Sequence, residues 1–178
     1  MSERDSQSSH QGENMAFFSV AIGKEQLRFT AAHFIAFRGF REPLHGHTYQ
    51  VRVTVSGPVG PDGYVVDFLA LKKIAEEEIA RLHFRTLLPQ QSDCLVIEES
   101  AAQVTVHCED GAYFVFPRGD VYFLPVVHSS SEEIAQHLVA RLRERLREVR
   151  GNSIQTIEVT IEDVPGQEAV CREDFFIR

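Results

Sequence analysis

Three histidines set the chemistry open to this chain. His45 and His47 stand two apart in Leu44-His45-Gly46-His47, and His33 closes the run Phe29-Thr30-Ala31-Ala32-His33. Residues two apart on an extended chain project to the same side, so the His45 and His47 imidazoles converge if this stretch is a strand. Three histidines without a fourth protein ligand are the donor set of a zinc ion that keeps one position open, the arrangement of catalytic rather than structural zinc. Cys94, Cys108 and Cys171 are distant in sequence and show no metal-ligand spacing.

The flanking pattern supplies the strands that such a site needs. The alternation Thr48-Tyr49-Gln50-Val51-Arg52-Val53-Thr54-Val55 predicts a strand running to about Ser56. The run ending at His33 predicts another, and Phe34 to Leu44 is long enough to return the chain antiparallel and bring the third imidazole alongside. A cluster of turn formers from Gly57 to Gly63 then breaks the second strand. Leu71, Ile74, Ile79 and Leu82, set among Lys and Glu, predict an amphipathic helix over residues 69–82, with Asp67 as its cap.

Short β-forming runs at 94–97, 103–107 and 113–116 predict a small meander, an insertion spanning about residues 90–125 in which His107 and Cys108 are strand residues rather than ligands. Ser129-Ser130-Ser131-Glu132-Glu133, with a serine three positions before a glutamate, is a capping-box signature that opens a second helix, and the acidic residues suit the positive end of its dipole. Arg141, Arg143, Arg145, Arg147 and Arg150 read as a solvated face near the other end, which Gly151 closes. Strands follow at 154–162 and 169–177. The order predicts an α+β fold, a four-stranded antiparallel sheet with two helices on one face. Residues 1–15 are too polar to bury and predict a disordered tail before a single domain over 16–178.

Composition excludes several classes. A formal charge of −8, from 18 basic and 26 acidic residues, argues against non-specific nucleic-acid binding, which needs a basic face. No apolar run approaches the roughly 20 residues that cross a bilayer, and the polar start has no signal-peptide core. Three cysteines are no even disulfide set and suit a reducing compartment, so a cytoplasmic protein is expected, with a Cys94–Cys108 pairing across a hairpin the alternative.

Phe29-Thr30-Ala31-Ala32-His33, Leu44-His45-Gly46-His47, Val66-Asp67-Phe68, Leu87-Leu88-Pro89 and Ser130-Ser131-Glu132-Glu133-Ile134-Ala135 occur in that order. In this the chain resembles the 6-pyruvoyltetrahydropterin and 6-carboxytetrahydropterin synthases. The resemblance implies the tunnelling fold, in which three subunits close a β-barrel, two trimers stack into a homo-hexamer, and active sites lie between neighbouring chains. It implies Zn2+ on His33, His45 and His47, and 7,8-dihydroneopterin triphosphate or a close analogue as substrate. In the family that the chain resembles, a carboxylate on the penultimate strand grips the pterin edge by paired charge-assisted hydrogen bonds. Ungapped matching assigns Asp163 to that role with Glu162 as the alternate, and Ser130 and Ser131 match the family's hydroxyl pair.

The departures from the family concern the base. The catalytic cysteine of the carboxy-forming enzymes is replaced by Arg41, and the mammalian-type position is Gly39. The family's Asp-His pair aligns with His83 and Phe84. Glu42 and His83 are the nearest substitutes able to move a proton, and some family members with a glutamate near the lost cysteine release 6-hydroxymethyldihydropterin instead. Arg41 cannot act as a base but suits a triphosphate or carboxylate. The expected activity is a zinc-dependent pterin lyase, the alternative a pterin- or purine-binding protein of the same fold with altered chemistry. Queuosine, biopterin and folate routes all remain open on these residues.

Overall fold

The computed structural model describes residues 16–175. The expected N-terminal tail lies outside them, as do the last residues of the expected fourth strand. In chain order the strands are β1 (Phe18–His33), β2 (Ala36–Phe37), β3 (Phe40–Arg41), β4 (His45–Gly57), β5 (Arg85–Pro89), β6 (Leu95–Glu99), β7 (Gln103–Cys108), β8 (Tyr113–Pro117), β9 (Val121–Leu124), β10 (Thr156–Val164) and β11 (Gln167–Asp174). The helices are α1 (Phe68–Ala80), between β4 and β5, and α2 (Ser131–Leu146), between β9 and β10.

β1 and β4 pair antiparallel from Phe18 opposite Gly57 to His33 opposite His45. The register slips between Gly23 and Arg28, and Gly23 is required there: a Cβ would come within 2.5 Å of the Val51 carbonyl oxygen. β10 pairs antiparallel with β4 on one side and β11 on the other, completing the four long strands expected. The sheet is wider than those four, in the order β11-β10-β4-β1-β5-β9, because β5 adds parallel to β1 and β9 parallel to β5. Thr86 to Pro89 are buried without interruption, so this strand lacks the polar alternation by which the others are readable. The three runs expected as a meander form a separate antiparallel sheet, β6-β7-β8, while β9 joins the main sheet.

Both helices start as their caps predict. Asp67 accepts the Ala70 N–H at 2.8 Å, and Ser130 Oγ accepts that of Glu133 at 3.3 Å. The Glu133 carboxylate, however, accepts the His128 N–H rather than returning to Ser130. α2 ends at Leu146, earlier than Gly151, because the Asn152 amide caps the Leu146 and Val149 carbonyls at 3.1 and 2.6 Å. Nor do the α2 arginines form a merely solvated face: Arg141 and Arg145 reach the buried Glu78 of α1, and Arg143 reaches Glu173 of β11.

Phe29, Tyr49, Val51 and Val159 of the sheet pack with Leu71, Leu138 and Leu142 of the helices in the main core. Each such side chain contributes about 1.5–3 kcal/mol of burial free energy. A second cluster joins Phe34 and Ala36, just after β1, to Leu95, Val104 and Val106 of the three-stranded sheet. Cys94, Cys108 and Cys171 are free thiols, and among the described residues no helix is long and apolar enough to cross a membrane.

Candidate metal centre and active-site cavity

Strand pairing converts the spacing of the histidines into a cluster. His33 lies opposite His45, and Ala31 opposite His47, so the ends of β1 and β4 present three imidazoles on one face. Their ring centroids are 4.6 Å (His33 to His45), 5.3 Å (His33 to His47) and 4.9 Å (His45 to His47) apart. One ring nitrogen from each lies within 4.8 Å of the other two.

The outer hydrogen bonds fix which nitrogens face inward. His33 Nδ1 donates to the Ser129 carbonyl at 2.6 Å and His45 Nδ1 to the Pro43 carbonyl at 2.8 Å, leaving Nε2 of each as the free lone pair. Among the described residues, His33 Nε2 is one of two buried side-chain polar atoms without a hydrogen-bond partner. Burial pushes the His33 pKa down, and His45 and His47 add to that against the Ser129 carbonyl. A neutral ring with an orphaned, inward nitrogen is what a metal ligand requires. The three histidines therefore fit a divalent metal.

The second orphaned atom is the Tyr49 hydroxyl, fully buried beneath the cluster with its ring 5.4 Å from that of His47. Burial, with the Asp163 and Glu42 carboxylates nearby, raises its pKa, so the phenol stays protonated. His45, His47 and Tyr49 share one strand face, and this alternation was the signal in the sequence that could have brought Tyr49 to notice.

A cavity of about 480 Å³ opens over the histidines. Glu42, Ser130, Ser131 and Asp163 line it with them. Asp163 continues the inward alternation of Ile157, Val159 and Ile161, and the β10–β11 register slips beside it, between Glu162 and Val164. Ser131 Oγ donates to Asp163 Oδ2 at 2.9 Å. Glu42 closes the β2–β3 hairpin, its N–H bonding the Ile35 carbonyl at 2.9 Å and its Oε2 accepting the Ile35 N–H at 3.2 Å.

Three residues expected at the site point elsewhere. Glu162 accepts the Gly166 N–H at 2.7 Å and so serves its own hairpin, so that of this adjacent pair Asp163 is the one that lines the cavity. Arg41 turns away into a separate cavity beside the β6-β7-β8 sheet and pairs with Asp110 at 2.9 Å. His83 Nδ1 accepts the Thr30 N–H at 3.0 Å while the Phe84 N–H bonds the Thr30 carbonyl at 2.7 Å, so this pair docks the end of α1 on β1. Phe84 takes a φ of +54° to do so. Sequence reasoning missed Ser129, whose contribution is a main-chain carbonyl and leaves no residue-type signature.

Comparison with known proteins agrees with this architecture. The model of a family described as 6-pyruvoyl tetrahydropterin synthase matches residues 22–174. A Methanocaldococcus jannaschii protein provisionally named 6-carboxy-5,6,7,8-tetrahydropterin synthase is 30% identical over 148 residues, covering 83% of this chain and 90% of that one. The Plasmodium vivax 6-pyruvoyltetrahydropterin synthase structure superposes with a TM-score of 0.84 at 35% identity, covering 89% of this chain and 99% of that one. It has also been solved with a catalytic glutamate replaced by alanine or by cysteine. A Pyrococcus furiosus dihydroneopterin monophosphate aldolase is 42% identical over 59 residues, 33% of this chain and 50% of its own length. With the fold, the histidine cluster and a match across nearly the whole described chain in agreement, this protein belongs to the 6-pyruvoyl tetrahydropterin synthase family.

Proposed function

We propose that this chain is a zinc-dependent lyase that cleaves the side chain of 7,8-dihydroneopterin triphosphate or a close analogue, with Glu42 as the base. The observation that carries this reading is the place of Glu42, whose carboxylate lines one cavity with the three histidines, Asp163 and Ser131. Among the described residues no thiol lines that cavity.

His33, His45 and His47 would hold the zinc, which when bound supplies Lewis-acid polarisation of the substrate's side-chain oxygens. Asp163 accepts the paired N–H groups at the amino-pyrimidine edge of the heterocycle, and Ser131 keeps that carboxylate turned into the cavity. Glu42 takes the proton from the hydroxyl on the second side-chain carbon. As that oxygen becomes a carbonyl, the bond between the first and second side-chain carbons breaks. The electron pair passes into the ring C=N, and the first carbon then receives the proton back from Glu42. The products are 6-hydroxymethyl-7,8-dihydropterin and a two-carbon aldehyde that carries the phosphates.

The aldolase name of the Pyrococcus furiosus relative and the catalytic glutamate of the Plasmodium vivax synthase support cleavage by a carboxylate base. The homo-hexamer implied by the family resemblance, acting in the cytoplasm, completes this reading. Within one chain His83 lies outside the cavity, so any catalytic part it plays is reserved to a neighbouring chain's site.

The test is incubation of the zinc-loaded protein with dihydroneopterin triphosphate and, separately, the monophosphate, followed by chromatography of oxidised pterins. The expected product is 6-hydroxymethylpterin, with the rate falling about 10²–10⁴-fold in Glu42→Gln. A tightly bound pterin without turnover would instead identify a binding protein, and a product retaining the side-chain carbons would overturn cleavage.

A further inference from the structure

The inserted meander does not stand apart from the catalytic face. It grips the short segment that carries Glu42. Phe34, buried where that segment begins, stacks obliquely on Phe114 of β8 with ring centroids 5.1 Å apart. At the β2–β3 turn, the Gly39 N–H donates to Glu109 Oε2 at 3.2 Å. At the end of β3, Arg41 Nε donates to Asp110 Oδ2 at 2.9 Å, Arg41 Nη1 donates to the Glu42 carbonyl at 3.0 Å, and the guanidinium lies 5.5 Å from the centre of the Phe114 ring.

Asp110 is itself fixed. Its other oxygen, Oδ1, accepts the Ala112 N–H at 3.0 Å in the β7–β8 turn. A chain of directed contacts thus runs from that turn through a planar, five-donor side chain to the backbone of Glu42. Arginine suits this place because one rigid fork bonds Asp110 and the Glu42 carbonyl together, whereas a lysine ammonium lacks that preorganised geometry. The cluster joining Phe34 and Ala36 to Leu95, Val104 and Val106 provides an apolar floor under the same segment.

We propose that the inserted meander is the positioning element for Glu42, acting through Asp110 and Arg41, which are positioning residues that touch no substrate. The inference rests on the reading of Glu42 as the base. A carboxylate base must be held within hydrogen-bond reach of its proton, and a displacement of about 1 Å costs on the order of a hundredfold in rate. Ile35 fixes the Glu42 carboxylate from the cavity side, and the Asp110 to Arg41 link fixes its backbone from the other.

The test is steady-state kinetics of Asp110→Asn, Arg41→Met and Glu42→Gln in the zinc-loaded full-length protein, with metal content and thermal unfolding measured alongside. Asp110→Asn and Arg41→Met should each lower kcat about tenfold to a hundredfold with KM changed less than about threefold, because Asp163 and the histidines are untouched. The double variant should be no slower than the worse single one, and adding Asp110→Asn to Glu42→Gln should not slow the residual rate further.

The inference is overturned if both single variants keep kcat within about twofold, or if KM, metal content and unfolding temperature fall together with kcat, which would mark a general structural role. Failure of the underlying reading looks different: Glu42→Gln would then turn over at the parent rate.

Discussion

His33 Nδ1 donates to the main-chain carbonyl of Ser129 across 2.6 Å, joining the end of β1 to the residue just before the α2 cap. Ser129 is fully buried, and its Oγ donates back to the Phe34 carbonyl at 2.8 Å, so the acceptor is itself immobilised. The His33 ring is thereby held in one tautomer, with Nε2 turned toward His45 and His47.

Metal content follows from that geometry. The purified parent should retain about one zinc per chain after dialysis against a weak chelator, and His47→Ala should bind at least roughly a hundredfold more weakly. Ser129→Ala removes only the anchor of the carbonyl and should cost several-fold. Competition with a chromophoric chelator measures both, and equal affinity in the parent and His47→Ala would rule out the cluster as the metal site.

Asp163 should govern substrate affinity rather than metal retention. Replacing its carboxylate with an amide removes charge-assisted acceptance, worth about 1.5–3 kcal/mol, so Asp163→Asn should raise the pterin Kd about tenfold to a hundredfold at unchanged zinc content. Ser131→Ala, which removes only the donor to Asp163 Oδ2, should have a smaller effect in the same direction. Calorimetric titration with a non-reactive pterin reads both, while Glu162→Gln, whose carboxylate faces its own hairpin, should bind as the parent does.

The parts of this site legible in sequence were those governed by strand alternation. His45 and His47 read as one face because a two-residue period leaves no other option, His33 joined them through the antiparallel return of the chain, and the caps, Asp67 for one helix and a serine of 129–131 for the other, read from residue type alone. Partners distant in the chain stayed hidden. Arg41 has no local feature to show that it faces Asp110, 69 positions away, rather than a phosphate. The α2 arginines likewise looked solvated because Glu78, which takes two of them, lies on the other helix.

His137 makes stability depend on pH. It is buried on α2, its Nε2 3.1 Å from the Tyr122 hydroxyl, and burial lowers its pKa to about 4, with the Arg141 cation adding to the shift and Glu78 opposing it. Above pH 6.5 the ring is neutral in both the folded and unfolded chain and contributes no slope. Below pH 6.5 the unfolded chain takes up the proton first, so stability is lost as pH falls toward 4, by about 2 kcal/mol at pH 5. His137→Gln keeps a polar group for Tyr122 but cannot titrate. Urea unfolding at pH 7.5 and 5.0 should therefore show a smaller acid loss in the variant than in the parent; equal losses would exclude His137 as a source.

Glu78 ties α1 to α2 from inside the protein. Only 2% exposed, it accepts from Arg141 Nε at 3.1 Å and Arg145 Nη1 at 2.8 Å, with Arg81 Nε 3.5 Å away. Burial alone would raise its pKa, but donation from Arg141 and Arg145 overrides this and holds the carboxyl below its usual range. Breaking a buried ion pair costs about 3–5 kcal/mol when the abandoned partner stays buried. Here the arginines can relax toward water, since their side chains are between 31 and 53% exposed. Glu78→Ala should therefore cost less, about 2 kcal/mol in urea unfolding at pH 7, chiefly from the void and the lost link between helices. Glu77→Ala, which removes only the exposed partner of Arg145, should leave the midpoint nearly unchanged. If the two variants unfold alike, the buried carboxylate is not what joins the helices.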